Sequence, residues 1–444
     1  MSHGWIATVN RGDTLPFYNH FLQESAKGTN VLEDSLPMNV SSEDTASLMV
    51  IDMQRDFILP PPGSSGAAAR GNFGRFSVGN GIDMLPELVT FIEKNQAKFS
   101  KVIFTRDNHP ANHCSFGEEG GPFPAHCIIN HIGSALHPKI VSVARKCKNM
   151  DVIFKGCHEE VDSFGAMMYK DDTYLKRREL GKCKADHNHT GGFYLKNKDK
   201  NLSDFPFENV VQQTNKDTSF NTDKYKSATY ENIKDELGDA FKVSDLFPGQ
   251  TSGIHTVFVV GLAADFCVKD TAINIAKSLT NGMLNGVKVH VKVIQPFVRY
   301  AMLPLQFIGG NQVYSNVVLA NTHRANFYNT SKSKDVNRYL FQLGAQLKLL
   351  SAAEAKAAEK DVSAVLHFSD IGEKGKAKGP GDIHDFAKSN PKFYAAFLTP
   401  TYHIINDYKS TGVKLVMNVP TLTGQVGGRG KTRRARRHGK TRRQ

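Results

Sequence analysis

The stretch TVFVVGLAADFCVKDTAINIA, residues 256–276, decides the fold. It opens on a nearly continuous run of Val and Phe, which reads as a strand buried on both faces. A small-residue turn follows, Gly261-Leu262-Ala263-Ala264. Val268, Ala272, Ile275 and Leu279 then recur at helical spacing, predicting an amphipathic helix over 268–279. Strand, turn and helix in succession form the unit of a parallel α/β sheet. Cys267 stands at the junction, where a helix N-terminus presents unpaired N–H groups and the positive end of its dipole. That position predicts a lowered thiol pKa and a favoured thiolate. A small buried residue is the plainer alternative.

The same grammar extends outward. SLMVID (47–52), KVIFTRD (101–107), DVIFKG (151–156) and VHVKVIQP (289–296) are further apolar runs of strand length. Leu85, Leu88, Val89 and Ile92 mark a helix between two of them. The fold class expected is a doubly wound, mainly parallel α/β sheet with helices on both faces. Residues 1–45 read as an N-terminal extension laid on the surface, and 46–170 with 255–300 as the core. Residues 171–254, polar and charged, read as an insertion, either covering the site or building an oligomer interface. Residues 301–423 read as a part that completes or extends the core. They hold RYLFQLGAQLKLL (338–350), an Ala/Lys/Glu-rich helix near 352–361, the break GEKGKAKGPGD (372–382) and FYAAFLTPTYHIINDYKSTGVKLVM (393–417). Either GAQLKLL or GVKLVM supplies the last sheet strand.

Composition narrows the classes. In 444 residues, 40% are apolar and 22% charged, as in soluble globular proteins. No run approaches the roughly 18 consecutive apolar residues of a membrane span. The start, MSHGWIATVNRGD, lacks the basic and apolar regions of a secretory signal. A cytoplasmic location is expected. The six cysteines, at 114, 127, 147, 157, 183 and 267, are scattered, which fits free thiols in a reducing compartment. Net charge is +13, but residues 429–443 alone carry nine Lys or Arg and no acid, leaving +4 elsewhere. Residues 424–444 read as a basic, disordered tail that contacts nucleic acid or other polyanions nonspecifically. Its composition resembles tails on proteins of large DNA viruses, so a nuclear or virion-associated place is the alternative.

In open α/β sheets, ligands bind at the carboxyl ends of the strands. Those ends deliver Asp52, then Asp107 and His109, then Lys155, then the loop to Cys267. Together they supply a base, a cation and a nucleophile. Asp107 and His109, two residues apart, with His113 and His126 following, offer oxygen and nitrogen ligands for Zn²⁺, Fe²⁺ or Mn²⁺. Cys183, His187 and His189 could form a second metal cluster, but their spacing fits no standard zinc module. No GxSxG, P-loop or GxGxxG stands in strand–helix context.

IDMQRDF around Asp52, TRDNHP, FPAHC, FKG and GLAADFCVKDTA together resemble the nicotinamidase/pyrazinamidase branch of the isochorismatase-like cysteine hydrolases. The resemblance covers about 45–170 and 255–300. It implies Cys267 as nucleophile, Asp52 as general base and acid, and Lys155 as third member of a triad. It implies Asp107, His109 and His126 as ligands of a divalent metal, zinc first, with His113 or waters nearby. A cis peptide before Ala263 would aim the amides of Ala263 and Cys267 at an oxyanion. Phe57 and Phe123 match aromatic positions flanking a flat ring, Phe123 standing where the family often has Trp. Phe266 lies at a variable pocket position. The implied reaction is hydrolysis of nicotinamide to nicotinate and ammonia, within NAD salvage. The alternatives are an isochorismatase-like or other small-amide hydrolase, or a polyanion-binding structural protein on the same fold. The partners expected are a small carboxamide, a polyanion at the tail and a second copy of the chain, with no membrane.

Overall fold

The computed structural model describes, in the main, residues 19–58, 76–176, 182–211, 226–300 and 399–424. Residues 338–350 and 372–382 and the tail from 425 lie outside the described residues. Of 352–361 only Ala353 and Lys356 are described, both helical.

In chain order the strands are β1 (Leu32–Glu33), β2 (Met38–Val40), β3 (Asp44–Ile51), β4 (Lys101–Asp107), β5 (Met150–Lys155), β6 (Gly192–Leu195), β7 (Leu237–Ala240), β8 (Ile254–Leu262), β9 (Met283–Leu284), β10 (Val287–Arg299), β11 (Lys414–Val416) and β12 (Leu422–Gly424). The longer helices are α1 (Leu85–Asn95), α2 (Pro138–Ala144), α3 (Cys267–Lys277) and α4 (Thr399–Thr411). The main sheet runs β1-β11-β10-β8-β3-β4-β5-β6-β7, with β9 beside β10; β12 and β2 form a separate ribbon. From β1 to β5 every pairing along that order is parallel. Residues 45–51 of β3 are all buried, as the continuous apolar run requires of a strand covered on both faces. α1 packs on α2 and α3 on α4. No helix among the described residues is long and apolar enough to cross a membrane.

The segment 171–254 adds β6 and β7 antiparallel to the sheet edge at β5. Arg106 fastens it. The guanidinium is buried inside β4, donates to the carbonyls of Asn201 and Ser203 in the segment and to that of Ser134, and lies over Phe154.

At the opposite edge, GVKLVM supplies β11, which joins β10 in parallel. β1 then docks on β11 at the edge of the main sheet, and β2 pairs with β12 in the separate ribbon, so strands from both ends of the described chain pair with each other. Leu22, Ala26, Val31 and Val40, within the stretch read as a surface extension, are buried. α3 departs from simple amphipathicity. Residues 267–275 are all buried, including Lys269, Asp270, Thr271 and Asn274. Its polar side chains have partners in the layers above. Asp270 accepts from the hydroxyls of Tyr169 and Tyr174, Thr271 from the Ala166 amide, and Lys269 pairs with Asp407 of α4.

Candidate active site

The order β8-β3-β4-β5 sets four carboxyl ends side by side. Asp52 follows β3, Asp107 ends β4, Lys155 ends β5, and the turn after β8 leads to Cys267 at the start of α3. The sheet thus brings together the residues read from the strand ends. Lys155 is the hub. Its Nζ lies 2.9 Å from Asp52 Oδ2, 2.8 Å from Asp107 Oδ1 and 3.5 Å from Cys267 Sγ. Lys155 and Asp52 are completely shielded from solvent. Burial alone would push the Lys155 ammonium down, but Asp107 and Asp52 outweigh it and hold it well above the usual lysine range. Burial raises Asp52, with Lys155 opposing.

Burial likewise pushes the Cys267 thiol well up, against the pull of Lys155. This corrects the expectation of a resting thiolate. The helix N-terminus is present, but the cost of removing a sulfur anion from water dominates.

Asp107, His109 and His126 offer ligand atoms that all lie within 4.8 Å of one another. The loop bearing His126 is clasped to His109 by two backbone bonds, His109 N–H to Cys127 O at 2.8 Å and Ile129 N–H to His109 O at 2.9 Å. His109 Nδ1 pairs with Gly156 O at 2.9 Å, while its Nε2 faces Asp107 Oδ2 at 3.3 Å. A ring nitrogen held by a carbonyl while the other faces the site is the usual support of a metal-bound imidazole. One carboxylate and two imidazoles fit a divalent cation of the zinc, iron or manganese type. One ammonium against two buried carboxylates also leaves negative charge that such a cation would offset. His113 is not in that set, although its ring lies 4.1 Å from the ring of His109. Its Nδ1 bonds Ser115 Oγ at 2.7 Å and its Nε2 faces Val161 O at 3.3 Å.

Phe57, Phe123 and Phe266 line one cavity with Asp107, His109, His126 and Cys267. Phe76, Val78, Ser115, Asp162, Phe164 and Ala263 complete the wall. The cavity is a slot of about 30 Å³, on a measure in which one water needs about 10–15 Å³. Phe123, Phe164 and Phe266 meet with centroids 5.4–6.1 Å apart, and Phe76 lies 4.6 Å from the His126 ring. Walls of this kind suit a flat ring. The Leu262–Ala263 peptide is cis.

Sequence reasoning missed Phe76, Phe164 and Asp162 of the wall, and two polar supports. Gln54 donates to Asp107 O and accepts from Asp107 N–H, both at 2.7 Å. Thr105 bonds Asp52 through its hydroxyl. A polar residue inside the apolar run KVIFTRD was the available signal for Thr105.

The cysteine reading needs correction. Cys114 and Cys183 form a disulfide with Cα atoms 5.0 Å apart, while Cys127, Cys147, Cys157 and Cys267 are free. The partners are 69 residues apart in sequence and meet only because the segment 171–254 packs on the loop after β4. The pairing also removes Cys183 from any metal set. His187 pairs with Asp172 and His189 with Asp186.

No family model matches the chain. It is 23% identical over 263 residues to the nicotinamidase of Acinetobacter baylyi, covering 55% of this chain and 81% of that protein. It is 23% identical over 173 residues to the nicotinamidase of Saccharomyces cerevisiae, 34% of this chain and 73% of that protein. Among solved structures, PnC1 from L. infantum in complex with nicotinate aligns with a TM-score of 0.33 and 23% identity, over 60% of this chain and 85% of that one. The sequence relatives bear out the resemblance to the nicotinamidase branch, and the fold rests on the sheet order itself.

Proposed function

We propose that this chain is a cysteine amidohydrolase that converts nicotinamide and water to nicotinate and ammonia. The observation that carries the reading is Lys155, one buried ammonium within 3.5 Å of Asp52, Asp107 and Cys267, beside a slot walled by phenylalanines. The similarity to curated nicotinamidases supports it.

Because burial disfavours a free thiolate, proton loss and attack go together. Asp52 takes the Cys267 proton as the sulfur bonds the carboxamide carbon, and the carbonyl electron pair moves onto oxygen. The N–H groups of Ala263 and Cys267 are the donors assigned to that oxygen. The pair returns, the C–N bond breaks, and Asp52 delivers its proton to the leaving nitrogen. Water then attacks the thioester while Asp52 accepts one of its protons. The C–S bond breaks, and that proton returns to Cys267. Lys155 keeps the carboxylates oriented and offsets their charge. A divalent cation held by Asp107, His109 and His126 would supply an anchor for the pyridine nitrogen.

Ammonia release from nicotinamide by the purified full chain, with and without a chelator, tests the reading. Release that falls with chelator and returns with added Zn²⁺ is expected. No ammonia from metal-replete protein overturns the substrate; a rate indifferent to chelation overturns the cation's part.

A further inference from the structure

We infer that Thr105 is a positioning residue that fixes which oxygen of Asp52 meets the thiol; this rests on the amidohydrolase reading only in taking Asp52 as base. β3 and β4 pair in parallel as far as Val50 and Phe104, where the register ends. Asp52 lies just beyond, with a left-handed φ of 46°. Its N–H therefore needs an acceptor other than a ladder carbonyl. Thr105, the next residue of β4, supplies one. Its hydroxyl oxygen accepts from Asp52 N–H at 2.9 Å, and its single proton goes to Asp52 Oδ1 at 2.5 Å. Both residues are fully buried.

The two bonds form a clasp between the backbone and the side chain of one residue. With Oδ1 held by Thr105, Oδ2 is the oxygen 2.9 Å from Lys155 Nζ. Asp52 and Cys267 present their polar atoms within 4.8 Å of each other. Turning the carboxylate would strip the buried hydroxyl of its acceptor, which is costly away from water. The clasp thus keeps one oxygen for structure and one for proton transfer.

The test compares wild type with Thr105→Val, Thr105→Ser and Thr105→Ala. The Thr/Val and Ser/Ala pairs each differ mainly by the hydroxyl, so the second pair carries the comparison if Val does not fold. The first readout is the rate at which iodoacetamide alkylates Cys267, followed on its peptide by mass. The second is kcat and KM for ammonia release from nicotinamide, with bound metal measured alongside. Val and Ala should slow alkylation and kcat together by roughly 10- to 100-fold, the loss of one charge-assisted bond. KM and metal content should hold, and Ser should restore most of both rates. Wild-type alkylation in Val or Ala, or Ser as slow as Ala, overturns the role. Wild type that releases no ammonia while alkylation keeps this order would end the nicotinamide reading and leave Thr105 in place.

Discussion

Gly156 shows how little room the site leaves at single positions. It follows Lys155 with φ +65°, and a Cβ there would lie 2.6 Å from His109 Cε1 and 2.8 Å from Nδ1. Gly156→Ala must therefore move the His109 ring as well as strain the backbone, the latter by about 1–2 kcal/mol. Metal content should fall markedly and the melting temperature modestly; unchanged metal binding would show that His109 is not a ligand. Cys267→Ala should fold and lose essentially all turnover, because no other group can form the thioester. Asp52→Asn should be nearly as inactive, since an amide cannot take the thiol proton. Single-turnover ammonia assays on both variants check this. Asp52, Asp107, His109, Lys155 and Cys267 were legible because strand ends in a parallel sheet converge wherever the loops go. His126 stood beside His113 as a candidate ligand until the resemblance chose it, since its loop reaches the site by backbone bonds of Cys127 and Ile129 to His109. Thr105 left only the weak signal of a hydroxyl inside an apolar run, and Gln54 left none. A hydroxyl inside a strand, or an amide in the turn after one, reads the same whether it meets solvent or supports a buried site. The protonation of Cys267 was misjudged because the dipole can be read from sequence and burial cannot.

At the scale of elements, β8 carries a pH-dependent weakness at its amino end. His255 is fully buried between Thr45 and Ser47 of β3, with Nδ1 2.6 Å from Thr45 Oγ1 and Nε2 2.9 Å from Ser47 Oγ. Thr45 donates its own proton to Gln250, so it accepts from Nδ1–H, and Nε2 accepts from Ser47. That arrangement suits a neutral ring, and burial lowers its pKa to about 3. The unfolded chain takes up the proton first as pH falls, so the folded state loses stability between pH about 6.5 and about 3. The steepest loss from this group is about 1.4 kcal/mol per pH unit. Urea unfolding of wild type and His255→Gln across that window should show a shallower dependence in the variant. Parallel curves would remove His255 from the acid response. The long strands were readable for the reason His255 is buried: central parallel strands are apolar on both faces. KVIFTRD coincides with β4 end to end. β1, β2 and β12 were not readable, because two or three residues carry no period. β6 and β7 hid in polar sequence, since an antiparallel edge needs fewer apolar side chains.

On the scale of the whole molecule, the sequence keeps its densest run of charge apart from the candidate catalytic residues. Nine cations and no anions lie within residues 429–443. The described chain ends at Gly424 of β12, paired with Val40 just before β3 begins. The candidate site lies past the other end of β3, eight residues on, or about 26 Å at the usual rise per residue. A small neutral amide feels no steering from charge at any distance. Deleting residues 429–444 should therefore leave kcat and KM for nicotinamide unchanged. Polyanion binding should respond oppositely, because uncompensated Lys and Arg release counterions from each phosphate they neutralise. Full-length protein should bind nucleic acid of any sequence, with affinity falling steeply as salt rises, and the deleted form should lose most of that binding. Both proteins go through the ammonia assay and a salt-titrated nucleic-acid binding assay. Equal nucleic-acid affinity would move the basic surface onto the rest of the chain, whose net charge is only +4. A drop in kcat on deletion would instead mean that the tail takes part in the chemistry, and the independence of charge and catalysis would fail.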